Sequence, residues 1–267
     1  MTFATDDDES DLVESELLAL TTSPTLSIGL ADNLVAKSNA LVRASYKLNL
    51  QEQRLVLAAI SKLDSRRPYV TPRGSQTTVR ISAIEFAETF GIDKRKAYEE
   101  LKEATNELFE RRITEINGKQ TTKMRWVSKV HYHDGEGWAE LTFSLDVLPL
   151  LTLLRAKFTT YSLQRVAGLR STYSIRIFEM LAQFASTGLL RIELADMIRQ
   201  LDLPYTRYAD VARRVIKPAV DELQAKSSLE IEWRAIKDGR AVKTIEFMFR
   251  EAAQGKLNLD DGATDHM

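Results

Sequence analysis

The chain contains no cysteine. That excludes disulfides, a thiol nucleophile and a thiolate metal site, and it is consistent with a reducing cytoplasm. No stretch approaches the roughly 18 uncharged apolar residues that a membrane span needs. No Gly-x-x-x-x-Gly-Lys-Ser/Thr loop occurs, so ATP hydrolysis by this chain is not expected. Lysine and arginine are missing from residues 1–34, which hold eight acids instead. The N-terminus is therefore acidic where a signal peptide would be basic.

What is there is 267 residues, 44% of them hydrophobic, which suits two small domains or one large one with real cores. The net charge of −1 hides an asymmetry. Residues 251–267 hold four acids and one lysine. Removing both ends from the totals of 37 basic and 38 acidic residues leaves 36 and 26 over 35–250, a net of +10. A basic body between acidic tails favours a polyanionic partner. Residues 1–33 are rich in Asp, Glu, Ser and Thr and should be mostly disordered, with at most a transient helix over Leu12–Leu20. Residues 251–267 read as a second loose tail.

Between the tails, one order of parts occurs twice. The first pass is a helix over Gln51–Leu63, a short helix over Ile81–Gly91, a longer helix over Asp93–Arg112, and strands from Ile113–Ile116 to Leu141–Phe143. The second is Tyr173–Phe184, Ile192–Leu201, Thr206–Lys226, and strands Leu229–Ile236 and Val242–Phe249. Ile81–Phe86 answers to Ile192–Met197 at an offset of about 111 residues, and Tyr98 answers to Tyr208. Helix, helix, helix, hairpin is the order of a winged helix. The fold expected is α+β, two tandem winged helices. Asn49 with Glu52, and Ser82 with Glu85, have the spacing of capping boxes, and Gly91 and Gly188 close helices. Residues 65–78 (Pro68, Pro72, Gly74, Ser75) should be a loop, and Leu145–Lys157 a helical connector. Pro218 should kink the last helix or mark a second start. Asp134-Gly135-Glu136-Gly137 and Asp238-Gly239 are hairpin turn signals. The boundaries implied are a tail over 1–34, a first domain over 35–147, a second over 148–250 and a tail over 251–267.

The ordered set of motifs resembles the iteron-binding plasmid replication initiators. It begins with Asn39-Ala40-Leu41-Val42-Arg43-Ala44-Ser45-Tyr46-Lys47-Leu48 and Glu52-Gln53-Arg54-Leu55. Trp126-Val127-Ser128, Phe143–Leu151 and Phe158-Thr159-Thr160-Tyr161 follow. The strongest piece is Ser171-Thr172-Tyr173-Ser174-Ile175-Arg176-Ile177-Phe178-Glu179. After it come Leu203-Pro204-Tyr205, Arg213–Val220 and Ile236–Arg240. The resemblance implies binding to repeated origin sequences and local duplex opening with the host initiator and helicase. It also implies a homodimer that represses its own promoter and a monomer that initiates. Ala209-Asp210-Val211-Ala212 departs from the pattern, which puts the base preference in doubt but not the fold.

A recognition helix needs an apolar face toward its domain and a polar face toward the major groove. In Thr206–Lys226, Tyr208, Ala212, Val215 and Ala219 can turn inward. Arg207, Arg213 and Arg214 are then the candidates for base readout, because arginine fits guanine O6 and N7 bidentately. Arg213 and Arg214 cannot both face one way, so one is expected on a phosphate or on Asp210. Lys217 and the hairpin residues Lys237, Arg240 and Lys243 should lie along phosphates. Lys94, Arg95 and Lys96 open the long helix of the first repeat, where positive charge opposes the helix dipole unless a phosphate is near. Tyr161, Tyr173 and Tyr205 read as core packing more readily than as base-stacking platforms.

Two other functions fit parts of the pattern. A rolling-circle nickase pairs His-hydrophobic-His with a tyrosine nucleophile, and His131-Tyr132-His133 with Tyr161 superficially matches. The middle residue is Tyr, however, and no third ligand is evident, so neither a metal nor any cofactor is expected. A plain winged-helix repressor would share every DNA-binding feature. The open sheet of the first repeat, around Met124–Tyr132, is the expected dimer edge.

Overall fold

A computed structural model describes residues 29–252, apart from 72–73, 76, 133–134 and 156. The expected helix over Leu12–Leu20, Pro72, His133, Asp134 and all but the inner ends of both tails lie outside the described residues.

The chain enters through β1 (Leu34–Ser38) and a short α1 (Asn39–Arg43), then α2 (Leu50–Ser61). Asn49 and Glu52 close the expected capping box on α2. The β2 (Val70–Thr71) and β3 (Gly74–Ser75) strands form a small ladder within the expected loop. β4 (Thr78–Ser82) leads directly into α3 (Ala83–Phe90), which Ser82 and Glu85 cap reciprocally. α4 (Ala97–Glu110) buries Ala97, Leu101, Ala104, Thr105 and Leu108, the stripe read from helical spacing. A hairpin of β5 (Arg112–Asn117) and β6 (Gln120–Arg125) follows, then β7 (Val127–Tyr132) and β8 (Trp138–Phe143). Trp126, fully buried, separates β6 from β7, so the run Met124–Tyr132 is two strands.

The expected connector helix does not form. Leu145–Lys157 holds one 3₁₀ turn at Leu148–Leu150, and Leu153 and Lys157 adopt positive φ, both 54°. Its apolar residues are not a helix stripe. Val147, Leu148 and Leu151 are instead buried in the common core through turns. β9 (Phe158–Ser162) then pairs antiparallel with β1, tying the segment after the first repeat to the segment before it.

The second repeat comprises α5 (Gln164–Ala167), α6 (Thr172–Ala182), β10 (Leu189–Glu193), α7 (Leu194–Gln200) and α8 (Tyr208–Val211). A π-helical turn (Ala212–Ile216) joins α8 to α9 (Lys217–Lys226), and β11 (Leu229–Asp238) and β12 (Ala241–Glu251) complete it. Its sheet order, β10-β12-β11, copies β4-β8-β7 in the first. The repeat is accurate at the junctions: β4 passes to α3 at Ala83, and β10 passes to α7 at Leu194. The sequence pattern missed these opening strands and assigned Ile81 and Ile192 to helices. Each is the inward residue of a short strand, too brief for its alternation to stand out from the helix that follows. Gly188 has φ 64° and sits against β12, where a Cβ would lie 2.6 Å from the Phe249 carbonyl oxygen. No side chain fits there, and the left-handed backbone favours glycine in any case.

Candidate nucleic-acid interface

The helix from Tyr208 to Lys226 is continuous despite Pro218. Proline has no N–H, and its ring crowds the carbonyl four residues back, so a regular α-turn cannot form at that point. The structure resolves the conflict with the π turn over Ala212–Ile216, which holds one extra residue per turn. That extra residue buries Val215 and Ile216 side by side, with Val211 before them and Ala219, Val220 and Leu223 after. Tyr208 and Ala212, expected inside, are only half-buried. Arg213, Arg214 and Lys217 are all exposed and make up the basic stripe of this helix. Arg207, also exposed, stands at the N-terminal cap.

Local pairing within this stripe is loose. Asp210 Oδ1 lies 3.4 Å from Arg213 and 3.6 Å from Arg214. The Arg214 guanidinium also lies 5.4 Å from the centroid of the half-buried Tyr205 ring. Lys217 reaches Asp221 at 3.2 Å. Exposed pairs of this kind contribute little, about 0–1 kcal/mol each, so a phosphate or guanine can displace the carboxylates cheaply. Four cations against two acids leave the stripe positive.

Beside it stands the β11–β12 hairpin. Asp238 pairs with Ala241 across a turn made by Gly239, with φ 62°, and Arg240. A register shift between Ile236 and Lys237 turns the tip. Lys237, Arg240 and Lys243 are exposed there, and among the described residues only Lys243 of the three forms an ion pair, with Asp238 at 3.6 Å. At its base, the Glu246 carboxylate is gripped by Arg191 and by Arg234, the latter at 2.6 Å. The hydrogen bond from Arg191, with that from Arg234, holds this carboxyl below the usual range.

The first repeat is electrostatically different. Lys94 contacts Glu88 at 3.0 Å, and Arg95 is bidentate on Asp93, whose carboxyl is lowered chiefly by that hydrogen bond. Lys96 occupies the cap of α4 with no side-chain hydrogen bond. The exposed face of α4 is Glu99, Glu103, Asn106, Glu107 and Glu110. That acidic stripe occupies the position equivalent to the basic one in the second repeat. It was visible in the sequence, but only once the buried face fixed which residues point out. Lys119 and Lys123, exposed on the β5–β6 hairpin, were not singled out because no helical face marks them.

The tyrosines fall as packing residues. Tyr161 is buried, and its hydroxyl donates to Glu179 Oε1 at 2.6 Å. Burial, then the Glu179 charge, push its phenol well up, so it is neither exposed nor readily ionised. Tyr173 is half-buried. His131 packs edge-on against Trp138, 4.0 Å from Glu140. Among the described residues no cluster of three metal-ligating side chains occurs, and no helix is long and apolar enough to cross a membrane.

Comparison with known proteins places this architecture. Residues 34–182 match the family described as initiator replication protein, WH1, and residues 193–249 match its second module, initiator Rep protein, WH2. A replication initiation protein of Escherichia coli is 27% identical over 228 residues, covering 82% of this chain and 70% of that protein. An uncharacterized 27.6 kDa protein of Escherichia coli is 24% identical over 226 residues, covering 79% and 93%. Among solved structures, the Pi initiator protein in complex with iteron DNA superposes with a TM-score of 0.71 at 20% identity, covering 84% of this chain and 99% of that one. With both modules present in order over two winged helices, the chain belongs to the initiator replication protein family.

Proposed function

We propose that this initiator binds duplex iterons of a plasmid origin and makes its sequence-specific grip with the second winged helix. The exposed arc of Arg207, Arg213, Arg214 and Lys217, gathered within eleven residues and free of strong pairing, is the observation that carries this. In this reading Arg207, Arg213 and Arg214 read base edges in the major groove. Lys217, Lys237, Arg240 and Lys243 hold phosphates, and Lys94, Arg95 and Lys96 give the first domain a weaker backbone contact. The acidic outer face of α4 argues against an equal share of base readout by the first domain. The domains divide near residue 147, the protein works in the cytoplasm, and it opens the duplex together with the host initiator and helicase. A dimer pairing through β7, an outer strand of its sheet, would repress the initiator's own promoter.

Supplying the gene in trans to a cell carrying only the origin fragment tests the reading. Replication of the fragment is expected. Repression of the promoter without replication would favour a repressor alone. A divalent-metal-dependent nick in supercoiled origin DNA would favour a nickase, although the buried, hydrogen-bonded Tyr161 makes a poor nucleophile.

A further inference from the structure

The seam between the two repeats carries more positive charge than it neutralises. Lys37 of β1 and Glu179 of α6 are both fully buried and paired at 2.6 Å. Glu179 also accepts from Tyr161 at 2.6 Å and from Tyr46 at 3.5 Å, so its two oxygens are occupied. Arg176, one turn earlier on α6, is also buried. Its Nη1 lies 3.7 Å from Glu179, beyond hydrogen-bond range. Its Nη2 donates to the carbonyls of Val42, Ala44 and Gln200, and its guanidinium stacks 3.7 Å over the Tyr46 ring. Those dipoles solvate the cation without neutralising it. Arginine does not deprotonate inside proteins. Two buried cations against one carboxylate therefore leave one positive charge in a place where an unpaired charge is costly.

A cavity of about 50 Å³ sits beside this charge. Its walls come from both repeats: Tyr46 and Gln53 on one side, Tyr173 and Arg176 on the other. Exposed Lys47 also lines it. Gln53, 1% exposed, has an unpartnered Nε2, and Arg176, 4% exposed, has unpartnered Nε and Nη1. The buried atoms of these two lining residues that lack a partner are all donor nitrogens. A water needs about 10–15 Å³ of such space and prefers both donors and acceptors around it. An acceptor carrying negative charge matches the donors and the residual charge together.

We propose that this cavity is a binding site for a single small anion, a halide such as chloride, held by Arg176 and Gln53 and locking the two winged helices together. The volume leaves no room for a nucleotide or a phosphate ester. Crystals of the full chain grown with bromide should show an anomalous peak in the cavity. In solution, chloride titrated against glutamate at fixed ionic strength should raise the wild-type Tm with the logarithm of its concentration above Kd, by about 2–5 °C at tenfold excess over Kd. Gln53→Met keeps the side-chain volume and removes the donor. It should match wild type in glutamate and lose most of the chloride gain, whereas Arg176→Met tests the charge if it folds. Density without anomalous signal would identify a buried water only. That result, or a chloride gain undiminished in Gln53→Met, overturns the site.

Discussion

Glu179 shows how single residues hold this fold. Burial alone would raise its carboxyl, but Lys37 and Arg176 outweigh burial and hold it below the usual range. A depressed carboxyl contributes stability that is complete above the unfolded value, near 4.3, and lost as pH falls through the folded value. Glu179→Gln leaves Lys37 and Arg176 buried without an anion from the protein. It should cost about 3–5 kcal/mol in urea unfolding at pH 7, a gap that narrows below about pH 4. An equal gap at every pH would refute the assignment. At the interface, Arg213→Ala or Arg214→Ala should cost about 1–3 kcal/mol on specific DNA and flatten discrimination at one base position. Lys237→Ala or Lys243→Ala should weaken specific and scrambled duplexes alike. Competition binding on both duplexes separates the two behaviours, and specificity lost from the hairpin variants instead would reverse the roles.

Among the elements, junctions set the architecture. Ser82 and Glu85 start α3 where β4 stops, and Gly188 lets the chain turn against β12. Ser82→Ala should cost about 1 kcal/mol through the lost cap. Gly188→Ala should cost about 1–3 kcal/mol, because it adds steric overlap with the Phe249 carbonyl to an unfavourable φ. Urea midpoints measure both, and a neutral Gly188→Ala would mean that β12 shifts freely. The three main helices of each repeat, the caps at Asn49 and Ser82 and the β11–β12 turn were legible in the sequence because each has a local signal: periodicity, Asn49 or Ser82 followed by Glu, Asp238-Gly239. Gly188, expected to close α6, lies beyond its C-cap Gln183. The pairing of β1 with β9 was not legible, because it joins residues 120–128 apart in sequence, and nothing in Leu34–Ser38 names its partner. The connector failed as a helix for a related reason. Leucines buried through turns have the same composition as a helix stripe, and only the tertiary core distinguishes them. The basic arc was legible residue by residue, but the π turn within its helix was not, because Pro218 only hints at it.

For the whole molecule, the two repeats share a fold and differ in charge. The second presents cations from both helix and hairpin, whereas the first presents glutamates along its long helix and pairs its basic turn with Glu88 and Asp93. In the proposed function that difference makes one strong and one weak DNA grip. Both grips should depend on salt through the number of phosphates neutralised, at a log–log slope of about 0.9 per phosphate. The central claim is that the second repeat's helix supplies specificity while its hairpin supplies charge. The most direct test is a salt titration of binding to iteron and scrambled duplexes, run on wild type, Arg213→Ala and Lys243→Ala. The account predicts that Lys243→Ala lowers the slope by about 0.9 on both duplexes and keeps their ratio, while Arg213→Ala collapses the ratio. Unchanged ratios and slopes in both variants would contradict it and move the interface to the first repeat, beginning with Lys94, Arg95 and Lys96.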